Sequence, residues 1–335
     1  MPSSPPVLRA LPGVVVLLVG ALLAGCAAAP TAPTGTDGAC GADVPGLTQR
    51  FVPVDGVVLH VAVGGPPGAP AIVLVPGFPE TWRTWRGVAT DLVADHRVVV
   101  PDPRGTGCSS FAPPTPAGAD PRAAYDAASL AADLAGLATA LGLGPSVVVG
   151  HDMGAMPALA WARARPDQVR HLVLSGGGVP GAGLEERAPP HVAAFTAAPP
   201  GEIAAQVAGR EAEFLARFVG DPAVAASGSL DDAVRAYSRP GRLDAAMGRY
   251  RGLALDAAAT RADPRPLAVP ATALEGGAPG IAAATLPAVA PRNPTTAPAA
   301  PLAPDVVVVP QAGHYLQEDR PGATAAAIRA IAAGR

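Results

Sequence analysis

The stretch "VVVGHDMGAMPA", residues 147–158, ends an apolar run in a carboxylate. Gly150 and Gly154 flank Asp152 and leave room for a sharp strand-to-helix turn with a strained backbone, which lifts the central side chain out of the sheet. The first amides of the following helix favour negative charge there and can hold a developing oxyanion. Asp152 could instead cap that helix, but capping accounts neither for the paired glycines nor for a histidine downstream. His314 lies 162 residues further on, just past the apolar run "DVVVVP". An Asp and a downstream His, both at strand ends, stand in the order nucleophile then base, which makes a catalytic pair the working hypothesis. A serine would attack a carbonyl, whereas a carboxylate displaces a leaving group at saturated carbon, so ordinary esterase chemistry is disfavoured.

These residues need a scaffold, and the chain supplies an alternating one. "QRFVPV" and "VVLHVAV" flank Asp55-Gly56, a hairpin signal. Short apolar runs at 71–75, 97–100, 146–150, 171–175, 271–275 and 305–310 have the continuous character of strands buried on both faces. Helices are predicted between them at about 83–94, 126–142, 153–164 and 322–333. The alternation predicts an α/β fold with a mostly parallel sheet and helices on both faces. Residues 180–262 break the rhythm and are read as an inserted helical lid, with 48–179 and 263–335 forming the core. In such sheets ligands bind at the carboxyl ends of the strands. Pro76 to Pro79, Asp102, Asp152, Glu275 and His314 all fall there.

Composition narrows the classes further. The 335 residues carry a net charge of only -3, and all 24 basic residues are Arg, so neither a nucleic-acid surface nor an acidic tail is indicated. Leu11–Ala24 is a 14-residue apolar run, shorter than the roughly 20 residues of a membrane-spanning helix, and reads as a signal segment within residues 1–25. It runs into "LAGC", similar to the lipobox of bacterial lipoproteins, whose Cys, here Cys26, is lipidated. The expectation is an extracytoplasmic protein moored to a bacterial membrane through Cys26, or a secreted one, with residues 26–47 as a flexible tether. Cys40 and Cys108 then lie where a disulfide is permitted, although no spacing rule links them. No Cys/His spacing suggests zinc, and no phosphate cradle, nucleotide fingerprint or flavin site appears, so no cofactor or metal is implied.

The motifs "VPGFPETWRTW", "PDPRGTGCSS", "GHDMGA" and "GHYLQEDRP" together resemble the series found in α/β-hydrolases of the epoxide hydrolase and haloalkane dehalogenase group, over about residues 48–333. The resemblance implies Asp152 as nucleophile, His314 as base, and an oxyanion hole from the amides of Phe78 and Met153. Tyr250, in "GRYRG", matches the lid tyrosine that protonates an opening epoxide, and Tyr237 lies nearby; a second donor tyrosine early in the lid has no match. Dehalogenases of the group usually have a halide-binding Trp after the nucleophile, where this chain has Met153. Epoxide hydrolysis of a small apolar substrate is therefore the expected activity. A dehalogenase-like hydrolase and a non-catalytic ligand-binding lipoprotein of the same fold stand as the alternatives. Trp82 and Trp85 are expected to pack the first helix near the cleft and, with Phe195, are candidates for the substrate pocket, and Glu80 is read as solvent-facing.

Two departures accompany the resemblance. Pro76 stands where the group usually has His. The orienting acid of the triad is expected after the strand at 271–275, yet residues 276–304 contain no carboxylate and seven prolines, and the other position used in the group, after 171–175, holds "SGGG". Glu275 is the nearest carboxylate and the only candidate.

Overall fold

The computed structural model describes Met1 and residues 40–219, 222–290 and 305–334. Lipidation at Cys26 and the signal segment lie outside these residues. The sheet begins with the expected hairpin, β1 (Leu47–Val54) and β2 (Val57–Gly64), turned by Asp55 and Gly56 at φ 26° and 85°. Positive φ at both central residues gives the turn the hand of twisted strands. β3 (Ala71–Val75), β4 (Arg97–Pro101), β5 (Ser146–His151), β6 (Val169–Ser175), β7 (Ala271–Gly276) and β8 (Asp305–Val309) follow. The order across the sheet is β1-β2-β4-β3-β5-β6-β7-β8; β2 runs antiparallel to both neighbours and the other pairs are parallel.

The valine runs are continuous because each face of the sheet is covered. α1 (Arg86–Leu92) lies on one face, with Ile72, Leu74, Val98, Val100, Val147 and Val149 beneath it. α2 (Ala127–Ala140) and α3 (Ala155–Ala164) cover the other, over Val73, Val75, Val99 and Val148. α2 starts where Asp126 accepts from the Ser129 N–H at 2.8 Å, satisfying an amide that a helix end otherwise leaves bare.

Among the described residues seven helices intervene between β6 and β7: α4 (Leu184–Arg187), α5 (Pro190–Ala197), α6 (Glu202–Val207), α7 (Glu211–Val219), α8 (Pro222–Ala226), α9 (Ser229–Tyr237) and α10 (Arg242–Ala262). Past β7 the proline-rich stretch holds a short α11 (Ile281–Thr285). After β8 come α12 (Leu316–Asp319) and α13 (Pro321–Ala332), which packs beside α1.

Two expectations are corrected here. Residues 40–46, taken as the end of a loose tether, are fastened to the core. Cys40 is disulfide-bonded to Cys108, its carbonyl accepts from Trp82 Nε1 at 2.7 Å, and Val44 is buried. Trp82 and Trp85 do not line a substrate pocket. The turn of 3-10 helix that carries them, Trp82–Trp85, directs both indoles under the sheet into the core shared by α1 and α13, where each is fully buried.

Candidate active site

β5 ends in His151, and Asp152 follows at φ 48°, in the left-handed region that a non-glycine residue occupies only when its surroundings enforce it. The glycines allow this crossing: a Cβ on Gly154 would come 2.4 Å from the Val75 carbonyl oxygen, and one on Gly150 2.4 Å from that of Gly154. Asp152 is thereby set between two loops. Its Oδ1 accepts from the Phe78 N–H at 2.8 Å, and its Oδ2 lies 3.7 Å from His314 Nε2. Met153, the other expected oxyanion donor, opens the turn after Asp152, and its side chain borders the cleft.

The loop that presents Phe78 is held from both sides. Pro76 brings no N–H of its own, but the carbonyls of Gly77 and Pro76 accept from Arg249 of α10 at 3.2 and 3.4 Å. On the other side the Gly77 N–H donates to Glu80. Glu80 is not solvent-facing: it is 4% exposed and also accepts from Thr84 Oγ1 at 3.1 Å and Gln317 Nε2 at 2.6 Å. Its Oε1 pairs with His151 Nδ1 at 2.9 Å, and His151 Nε2 donates to the His314 carbonyl at 2.8 Å. Burial alone would lower the His151 pKa, but the charge and hydrogen bond of Glu80 raise it to about 9. His151 is therefore an imidazolium at neutral pH, 4.8 Å from the His314 ring between centroids.

A cleft of about 630 Å³ opens above Asp152, bordered by Phe78, Met156, Phe195, Phe218, Tyr250 and His314. The lining is mostly aromatic and aliphatic around one carboxylate, with Arg217 and His191 also on its border, which suits a largely apolar ligand. Phe195 stands where expected, its ring edge-on to Tyr250 at 5.2 Å. Burial, and then the charge of Asp152, push the Tyr250 hydroxyl well above its ordinary pKa, so it stays protonated. Tyr237 is corrected: its hydroxyl donates to the Glu80 carbonyl at 2.8 Å, so it braces the loop and does not border the cleft.

Glu275 is corrected as well. Among the described residues the His314 ring pairs with no carboxylate except Asp152. Glu275 Oε1 accepts from the Ala283 N–H at 3.1 Å, and the amides of Gly176, Ala282 and Gly280 also face its carboxylate. Its carboxylate gathers the amides at the start of α11 and leaves the imidazole alone. Desolvation, followed by the charge of His151, pulls the His314 pKa below its ordinary value, against the opposing pull of Asp152.

Three residues escaped the sequence reading. Glu80 and His151 are 71 positions apart, and His151 stood beside the more conspicuous Asp152. His191, on α5, borders the cleft against Phe195 at 5.5 Å and Tyr250 at 6.4 Å. Burial lowers its pKa while Asp152 raises it, so the ring senses the nucleophile's charge. The missing early-lid tyrosine was the one signal that could have pointed to it.

Residues 70–262 match the family described as the alpha/beta hydrolase fold, more than half of the chain. The chain belongs to that family. Among solved structures of the family's fold, Cfl2 from Burkholderia cenocepacia is 30% identical, with TM-score 0.72 over 85% of this chain and 96% of that one. Epoxide hydrolase A of Mycobacterium tuberculosis is 43% identical over 112 residues, 32% of each chain. A fluoroacetate dehalogenase of Burkholderia is 36% identical over 129 residues, 38% of this chain and 40% of that one. The similarity thus spans about two fifths or less of these two curated relatives.

Proposed function

We propose that this hydrolase-family protein opens an epoxide through an ester on Asp152 and releases it as a diol. The observation that carries the reading is the posture of Asp152, with Oδ1 on the Phe78 amide and Oδ2 turned toward His314 beneath an aromatic cleft. Oδ2 attacks an epoxide carbon, and the oxygen that leaves takes a proton from Tyr250, with the neutral His191 ring as the second hydrogen-bond donor that the early lid otherwise lacks. Water, deprotonated by His314, then adds to the ester carbon, and the oxyanion on Oδ1 rests against the Phe78 N–H. Mycobacterial epoxide hydrolase A among the relatives supports the substrate class. Displacement of halide from an alkyl halide is the alternative that the dehalogenase relative keeps in view.

The test is the intact mass of the full chain carrying His314→Gln after exposure to a panel of epoxides and alkyl halides. A gain equal to a whole epoxide, abolished by Asp152→Asn, is expected. A gain equal to an alkyl group without its halide moves the protein to dehalogenation, and no adduct with any compound returns it to ligand binding. We also propose that the protein works outside the cytoplasm, moored through a lipid on Cys26. The Cys40–Cys108 disulfide supports this, because such bonds persist in oxidising compartments. Labelled fatty acid should enter the protein expressed in a bacterium and be lost with Cys26→Ala; unchanged labelling would refute the anchor.

A further inference from the structure

The two halves of the proposed reaction are unequally equipped. Alkylation needs a free carboxylate and a proton donor, and Asp152 and Tyr250 supply them on the cleft wall. Ester hydrolysis needs His314 to become a cation while it takes the proton of water, and burial and the neighbouring His151 oppose that. A Cβ built on Gly176 would lie 3.0 Å from His314 Nδ1, so the position from which a side chain could reach that nitrogen holds none. Glu275 is committed to the amides of α11, and residues 276–304 offer no other acid. His151, with its own counter-charge in Glu80 on the far side, lies 4.8 Å from the His314 ring between centroids and repels an imidazolium there. Asp152, the one carboxylate paired with His314 among the described residues, becomes neutral as soon as it is esterified. Its attraction for an imidazolium therefore vanishes in the state that has to be hydrolysed. In serine triads, removing the ability of the acid to hold and stabilise the imidazole costs about 10⁴ in rate.

Resting on the Asp152 reading, we propose that the alkyl-enzyme ester is the standing state of this protein, which acts as a covalent scavenger of reactive epoxides with slow release in place of a rapid-turnover hydrolase. In capture, Asp152 Oδ2 forms a bond to carbon, the ring C–O bond breaks toward oxygen, and that oxygen takes the Tyr250 proton, which water restores. In release, water oxygen bonds to the ester carbon and its proton passes to His314. The tetrahedral intermediate then expels the diol oxygen, which takes that proton, and the Asp152 carboxyl group so formed releases its remaining proton to solvent, replacing the one Tyr250 drew from water, so that the carboxylate returns. Epoxide and water are consumed and one diol is formed.

The test mixes the unmodified full chain with excess styrene oxide or 1,2-epoxyhexane and follows intact mass, epoxide and diol together. The expected result is rapid loss of one equivalent of epoxide, at least about nine-tenths of the chains carrying the adduct through the steady state, and diol appearing at the rate of adduct decay. After excess epoxide is removed, that decay should be within about tenfold of the decay in His314→Gln, since a base left without its acid contributes little. A largely unmodified steady-state protein, with adduct accumulating only in His314→Gln, overturns the proposal and leaves the hydrolase reading intact. Absence of adduct in both proteins overturns the hydrolase reading as well.

Discussion

Replacing Glu80 with Gln should change how stability depends on pH, by an amount set by the pair it forms with His151. In the folded chain the His151 pKa is raised to about 9, against an ordinary value of 6.5. A raised histidine pKa contributes stability that is fully present below 6.5 and is lost as pH climbs through 9. At 1.36 kcal/mol per unit the contribution is about 3 kcal/mol. Gln retains an oxygen for the Gly77 N–H but removes the charge, so His151 is no longer favoured as a cation. Denaturant unfolding of the two proteins at half-unit steps from pH 6 to 10 checks this. The variant should be less stable by about 3 kcal/mol at pH 6, and the gap should shrink steadily from about pH 6.5 and be largely closed above pH 9. His191 and Asp256 titrate alike in both proteins, whereas His314 feels both Glu80 and His151, so the difference between the curves reports the pair together with its effect on His314. A gap that stays constant over the whole range would refute the ion-pair assignment.

Other outcomes follow from the same geometry. Burial raises the Asp256 pKa to about 7, while its bond from the Ala127 N–H at 2.9 Å opposes the rise; Asp256→Asn should therefore stabilise the protein at pH 8, by up to about 4 kcal/mol, with a gain that shrinks as pH falls below about 7 and vanishes only below about 4, as read from unfolding curves. Tyr250→Phe should slow ester formation about 10²-fold or more without preventing binding of an apolar ligand, measured by adduct mass against time. His191→Ala should slow the same step by a smaller factor, and equal rates in both proteins would remove His191 from the reaction. Cys40→Ser should lower stability by about 4 kcal/mol, the loop entropy of a bridge spanning 68 residues, in a calorimetric comparison under oxidising conditions.

Much of the scaffold was legible because its signals are local. Continuous valine runs, the Asp55-Gly56 turn and the glycines around Asp152 each state a backbone requirement within a few residues. Pairings across the fold were not local and did not show. Glu80 looked solvent-facing, yet His151 and Gln317 from distant parts of the chain converge on it beside the nearby Gly77 and Thr84. The tryptophans beside it looked like cleft residues because they flank the oxyanion loop; only the rotation of one helical turn decides on which side of the sheet an indole falls. Glu275 was named by elimination, and elimination cannot distinguish an acid that serves an imidazole from one that serves a helix end. Tyr237 and Tyr250 lie 13 positions apart in one lid, and which hydroxyl faces the cleft depends on where α9 and α10 pack.

The bond between Cys40 and Cys108 also has a mechanical meaning. β1 is the edge of the sheet, and its pairing with β2 runs from Leu47 opposite Gly64 to Val54 opposite Val57. Tension entering at Leu47 would load that ladder at its open end, where the hydrogen bonds break in succession, as a zipper opens. With the disulfide in place, tension arriving at Cys40 passes to the loop after β4, one strand further in, and bypasses the edge altogether. A chain pulled by its leading segment is thus gripped inboard of its weakest seam.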